Sequence, residues 1–277
     1  MKMNHIRYGT GKPLLLIHGI GGSWRSWTPV LDGLGAHREV IAIDLPGSGK
    51  TPPLNGETSI ATLADAVTLF LERHQLTGID AVGSSMGARL VLELVRRGTI
   101  LGSVVSLNPG GFWQGIQTHL FYGSIAFSIR LIRLLKTIGA LSALTKNSVS
   151  RSLLFAQFSA HPWKIPAHLA LDELNSYAAS PTFNELLYNL AYGERQKGCP
   201  ARSIQQPLVI GWGRQDRVCF PVQAKKALEL FPDATLHWFE QCGHFPQWDQ
   251  PQQTIDLILK TTHQYNTAMH AKANATL

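Results

Sequence analysis

Acidic residues are missing from the whole stretch between Glu93 and Asp172. The same stretch carries Arg96, Arg97, Arg130, Arg133, Lys136, Lys146, Arg151 and Lys164, so the net charge of +7 is unevenly spread. A basic interval of this kind attracts anionic substrates or lipid headgroups, or it is simply a solvated helix face. The cations are sparse and no recognition motif accompanies them, so nucleic acid is not an expected partner. Cysteine is scarce as well: Cys199, Cys219 and Cys242 make no even set and show no metal-ligand spacing. That excludes a disulfide scaffold, gives no metal site, and suits reduced thiols in the cytoplasm. No long apolar run follows the first residues, so a secretory signal is not expected. With 44% hydrophobic and 16% charged residues over 277 positions, disorder is excluded and one large core, or a core plus an inserted subdomain, is within reach.

What is present is an alternation. Short apolar runs at 14–17, 40–43, 79–82, 104–107, 208–211 and 236–239 read as strands. Helical periodicity marks 60–74, 85–96, 221–231 and 251–262 between and after them. Strands that alternate with helices predict a doubly wound, mostly parallel α/β sheet, because parallel strands need crossover connections. The alternation breaks between about 112 and 197, where no convincing strand occurs. The clearest helix there is 124–144, with Ile125, Ile129, Ile132, Leu135 and Ile138 at three- and four-residue spacing. Arg130, Arg133 and Lys136 fall on another face and argue against a membrane span. The expected organisation is a core of 1–111 and 198–265, a helical cap of 112–197, and a frayed polar tail at 266–277. A helical insertion after the 104–107 strand sits at the carboxyl end of the sheet, where open α/β folds bind ligands.

Gly83-Ser84-Ser85-Met86-Gly87 lies between a strand-like and a helix-like run. Such a strand–turn–helix holds its serine in a strained position above the sheet edge, with the next amide at a helix N-terminus. Only Ser85 has glycines two residues away on both sides, which favours it over Ser84. A serine nucleophile needs a base, a group that orients the base, and donors for an oxyanion. The loop after 208–211 offers Asp216, and the loop after 236–239 offers His244 between Gly243 and Pro246. The loop after 104–107 offers Asn108-Pro109-Gly110-Gly111 and no carboxylate, so Asp216 is the expected orienting acid. The glycine-rich loop after Ile17 would supply the Ile20 amide as a second oxyanion donor beside that of Met86. Gly47-Ser48-Gly49-Lys50-Thr51 imitates a phosphate-binding loop. Asp44 stands where that motif needs a glycine, however, and Pro52-Pro53 removes two amide donors.

These segments together resemble the α/β-hydrolase family over nearly the whole chain: His18-Gly19-Ile20-Gly21-Gly22-Ser23, Asp44-Leu45-Pro46-Gly47, the 83–87 turn, the 211–216 loop and Gly243-His244-Phe245-Pro246. The resemblance implies an eight-stranded, mostly parallel sheet with a helical cap, and nucleophile, acid and base at Ser85, Asp216 and His244. It implies no cofactor. The expected activity is cleavage of a small-molecule carboxylic ester through an acyl-enzyme. Trp24, Trp27, Phe112, Trp113 and Phe245 are candidates for an apolar substrate pocket, or for core. The alternatives are carbon–carbon bond cleavage in a vinylogous diketone acid, and a binding protein on the same scaffold. A basic, apolar cap that docks on membranes is a further expectation.

Overall fold

The computed structural model describes residues 2–76, 78–100 and 102–274, with side chains as far as Thr262. In chain order the elements are β1 His5–Tyr8, β2 Pro13–Ile17, α1 Thr28–Gly35, β3 Glu39–Ile43, α2 Ile60–Arg73, β4 Asp80–Ser84, α3 Met86–Arg96 and β5 Val104–Leu107. Five helices follow without an intervening strand: α4 Ile116–Thr137, α5 Leu141–Lys146, α6 Ser148–Phe155, α7 Ala167–Ala179 and α8 Phe183–Tyr192. The alternation then resumes with β6 Leu208–Gly213, α9 Gln223–Leu230, β7 Thr235–Phe239, α10 Pro246–Asp249 and α11 Pro251–Asn274.

The sheet order is β1-β3-β2-β4-β5-β6-β7, parallel except for β1, which runs antiparallel to β3. Among the described residues there are seven strands, one fewer than the resemblance implies. β1 forms the outer edge, with Arg7 and Tyr8 exposed, and no further strand is added beyond it. The central strands are apolar along their length because both faces are covered. Leu15 and Ile17 of β2 pack into the core under α2 and α3, while Leu14 and Leu16 pack into a second core under α1 and α11.

Ends of elements have local causes. Helix α2 starts at a reciprocal cap in which Ser59 and Thr62 exchange side-chain and backbone hydrogen bonds. Helix α4 begins eight residues before the expected start and stops before the expected 144. Gly139 adopts φ +72° there, and the amides of Gly139 and Ala140 turn back to the carbonyls of Lys136 and Leu135. At the other end of the chain α11 continues through Asn274, across most of the stretch expected to fray. Ala268, Met269, Ala271, Lys272 and Ala273 are all good helix formers; 275–277 lie outside the described residues. No helix of the described residues is long and apolar enough to cross a membrane.

Candidate active site

The chain reverses at 83–87 within very little space. A Cβ on Gly83 would lie 2.1 Å from the Gly87 carbonyl oxygen, and one on Gly87 would lie 2.3 Å from that of Ile17. No side chain fits at either position. Between them Ser85 is held at φ +58°, ψ −115°, a region that non-glycine residues avoid. Its amide donates to Leu107 of β5 and its carbonyl accepts from Arg89 in the first turn of α3, so the strained residue is pinned from both sides.

Ser85 Oγ is 2.8 Å from His244 Nε2, and His244 Nδ1 is 2.9 Å from Asp216 Oδ2, all three side chains being buried. Asp216 is fully bonded. Its Oδ1 accepts the amides of Val218 and Cys219 at 2.8 and 3.0 Å, and its Oδ2 accepts Asn108 Nδ2 at 2.5 Å. These bonds fix the direction of the carboxyl group. Asn108, itself at φ +50°, also donates to the Gly243 carbonyl and accepts the Gly213 amide, so one side chain ties the three loops together. In the sequence this position stands out only for lacking a carboxylate. Its signal was an asparagine before a proline at a strand end, where asparagine tolerates positive φ. The neighbouring Ser84 is buried against Gln247, whose Nε2 donates to it at 3.1 Å, while the bond to His244 Nε2 comes from Ser85.

Ile20 and Met86 both line the space in front of Ser85. Met86 opens α3, where backbone N–H groups lack intrahelical partners. The loop carrying Ile20 is shaped by His18, whose Nδ1 donates to the Gly19 carbonyl while Nε2 accepts the Leu45 amide at 3.0 Å. Burial lowers the pKa of this imidazole, in keeping with one donating and one accepting nitrogen. The phosphate-loop look-alike has a different use. The Lys50 amide donates to Asp44 Oδ2, and a Cβ on Gly49 would lie 2.2 Å from that oxygen, so the turn closes around a carboxylate of its own chain.

Above Ser85 lies a narrow chamber of about 30 Å³. The inner face of α4 (Phe121, Ile125, Ile129, Ile132) forms the roof, and Trp113, Phe158, Tyr177, Phe183, Leu190 and Phe245 form walls. Trp113 and Phe245 therefore stand where the sequence suggested. Trp24 and Phe112 do not. Trp24 sits at the start of a short helical turn, with its amide on Asp44 and Arg25 stacked on its ring, and Phe112 packs on Trp212 behind the loop. Trp27 is core. Helix α7 fastens the helical insertion to the glycine-rich loop: Ser176 Oγ donates to the Gly21 carbonyl, and Ser26 Oγ donates to the Glu173 carboxylate at 2.8 Å. Burial pushes the Glu173 carboxyl up to about 7, against the downward pull of Ser26 and Tyr177. The other fastening is at 158–160, where the His244 amide donates to the Phe158 carbonyl and Asp249 accepts the Gly243 and Ala160 amides. Asp216, Cys219 and His244 are grouped closely enough to hold a cation. Asp216 and His244 are already bonded to each other, however, and burial keeps the Cys219 thiol protonated.

A family model described as the alpha/beta hydrolase fold matches residues 12–251. The chain belongs to the α/β-hydrolase fold family. Within that family it is 29% identical over 273 residues to a dihydrolipoyllysine-residue acetyltransferase component of an acetoin cleaving system from Cupriavidus necator. The match takes in 94% of this chain but only 66% of that protein's length. It is 28% identical over 271 residues to a 2-hydroxy-6-oxo-2,4-heptadienoate hydrolase from Pseudomonas putida, covering 90% of this chain and 88% of that one. Among solved α/β-hydrolase structures, a putative lipase from Acinetobacter baumannii superposes with a TM-score of 0.75 at 23% identity, over 95% of this chain and 88% of that one. At that identity the likeness speaks for the fold.

Proposed function

We propose that the protein is a serine hydrolase that cleaves carboxylic esters with an apolar acyl group. The continuous chain of hydrogen bonds from Ser85 through His244 to Asp216 is the observation that carries this reading. His244 Nε2 takes the proton of Ser85 Oγ as that oxygen attacks the ester carbonyl. Asp216 holds Nδ1–H and stabilises the imidazolium. The amides of Ile20 and Met86 receive the oxyanion, the alcohol leaves with the proton from His244, and water then releases the acyl group by the same route. Preference for an apolar acyl group is supported by a chamber whose lining, apart from Ser85, His244, Gly110, Ser128 and Cys219, is aromatic and aliphatic.

The relative from Pseudomonas putida supports a second reading, hydrolysis of a carbon–carbon bond in a dienoate. That substrate carries a carboxylate and calls for a cation in the chamber. Among the described residues lining it there is no lysine or arginine. The nearby buried Arg89 does not line the chamber, and its Nη1 and Nη2 donate to the carbonyls of Leu190 and Glu194. Ester cleavage is the better fit. The test is turnover of p-nitrophenyl esters from acetate to palmitate beside a ring-cleavage dienoate, with Ser85→Ala as control. Ester turnover that vanishes in the variant supports the proposal, and turnover of the dienoate alone overturns it.

A further inference from the structure

Helix α4 has two apolar faces. The inner one roofs the chamber. The outer one consists of Ile116, Leu120, Phe127, Leu131 and Leu134, continued by Ile138 just past the helix end, all between 37% and 72% exposed. At 3.6 residues per turn these six side chains fall within an arc of roughly 60° and form a line about 30 Å long. The antipode of a buried helix face is normally polar, and an exposed apolar line of this length marks a contact surface.

Charge identifies what it contacts. Arg130 is exposed about 40° from the edge of the line, Arg133 reaches Ser180 and Asn184 farther round the same side, and Lys136 is exposed at the end of the helix on the opposite side. Lys146 and Lys164 are exposed on the segments that follow, and no acidic residue occurs from 94 to 171. The acidic side chain nearest in α8, Glu185, is turned toward the sheet domain, where it accepts the Thr58 amide. Self-pairing of two copies through this line would bring like charges together without acidic partners. An apolar line with Arg130 on one flank, on a segment that carries cations and no acidic residue, fits a bilayer with anionic headgroups, with side chains in the hydrocarbon boundary and the cation at the phosphates. Exposed Tyr188 and Tyr192 beside Tyr122 add rings suited to the headgroup level.

We propose that the outer face of α4 docks the protein on anionic lipid membranes, with the helix lying in the interface and the chamber directly beneath it. A lipid acyl chain would then have one helix diameter, about 10 Å, between the bilayer and the chamber over Ser85. The docking stands apart from the reaction and is tested without it.

The experiment is sedimentation with sucrose-loaded vesicles of phosphatidylcholine alone and with 30 mol% phosphatidylglycerol, at low salt and at 0.5 M NaCl. Wild type and Ser85→Ala are expected to bind the anionic vesicles equally, and to lose most of that binding at high salt or on the neutral vesicles. The pair Phe127→Ser with Leu134→Ser removes two side chains from the hydrocarbon and should weaken partitioning by about a hundredfold. Arg130→Glu should weaken the preference for anionic lipid, whereas Lys136→Glu, on the opposite side of the helix, should change it little. Circular dichroism and light scattering verify that each variant folds. Three results overturn the proposal: no sedimentation of wild type with anionic vesicles at low salt, undiminished binding by Phe127→Ser/Leu134→Ser, or a wild-type dimer that this variant converts to monomer. The last would assign the line to a second copy of the chain. Retained binding with failed ester turnover would overturn only the hydrolase reading.

Discussion

Glu173→Gln tests whether the join between α7 and the glycine-rich loop is a buried, protonated carboxyl. Glu173 is 3% exposed, and burial raises its carboxyl from an ordinary value of 4.5 to about 7, with the nearby negative charge of Asp172 adding to the rise. Ser26 Oγ donates to it and Tyr177 stands beside it, but no cation pairs with it. The folded state therefore keeps a proton that the unfolded chain gives up. Between pH 4.5 and 7 the native form binds more protons than the unfolded one, so stability falls as pH rises through that window and levels off above it. Displacement of this size corresponds to about 3 kcal/mol across the window. Glutamine keeps an acceptor for Ser26 and cannot ionise. The measurement is urea unfolding of wild type and Glu173→Gln at half-unit steps from pH 4.5 to 8. Other groups titrate alike in both proteins and cancel in the difference. The variant should gain about 3 kcal/mol relative to wild type between the ends of the range. Parallel curves would refute the reasoning, because they would mean that the carboxyl ionises in the fold without cost.

Three other outcomes follow from the same geometry. A fluorophosphonate probe should label wild type and Ser84→Ala but not Ser85→Ala, read by intact-protein mass; labelling of Ser85→Ala would remove the assignment of nucleophile. Asn108→Ala leaves Asp216 and the Gly243 carbonyl each short of a donor and should lower kcat for p-nitrophenyl butyrate about tenfold or more, with KM little changed. Asp80→Asn breaks a buried ion pair, since Arg38 Nη2 lies 2.7 Å from the carboxylate at the amino end of the sheet. It should destabilise the fold by about 3–5 kcal/mol in urea without touching the active-site distances.

Six of the seven strands were legible because each contains a short apolar run, buried on both faces in β2 to β6 and half-buried in the edge strand β7. β1 was not, because half of its surface is exposed and alternation over four residues carries little signal. Ser85, Asp216 and His244 were legible for a topological reason. In a parallel sheet the loops after the strands converge at one end, so chain order alone nearly fixes which residues meet. Which aromatics join them is decided by the direction of individual side chains. Trp113 and Trp24 look equally promising in sequence, but the backbone of Trp24 is spent on Asp44, which turns that segment away from the chamber. Glu173 and Ser26 meet across 147 positions, and no local pattern announces such a pair. The outer line of α4 was half visible. The inner periodicity was read from Ile125, Ile129 and Ile132, but the second stripe became apparent only with the true start at Ile116.

Two of the seams that fasten the insertion to the sheet domain run to the loops of the reacting groups. One seam joins 158–160 to the loop of His244, and the other joins α7 to the loop of Ile20, so both reach the reacting groups. Helix α4 takes part in neither. It rests on the rest of the insertion through the Ser124–Gln157–Ser128 bonds and through Arg133 on Ser180 and Asn184, and one side-chain bond, from Gln223 Nε2 to Gln117 Oε1, ties its first turn to α9. The insertion is thus built like a frame nailed to the walls with one plank laid across it. Lifting the plank uncovers the chamber and leaves every brace of Asp216 and His244 in place.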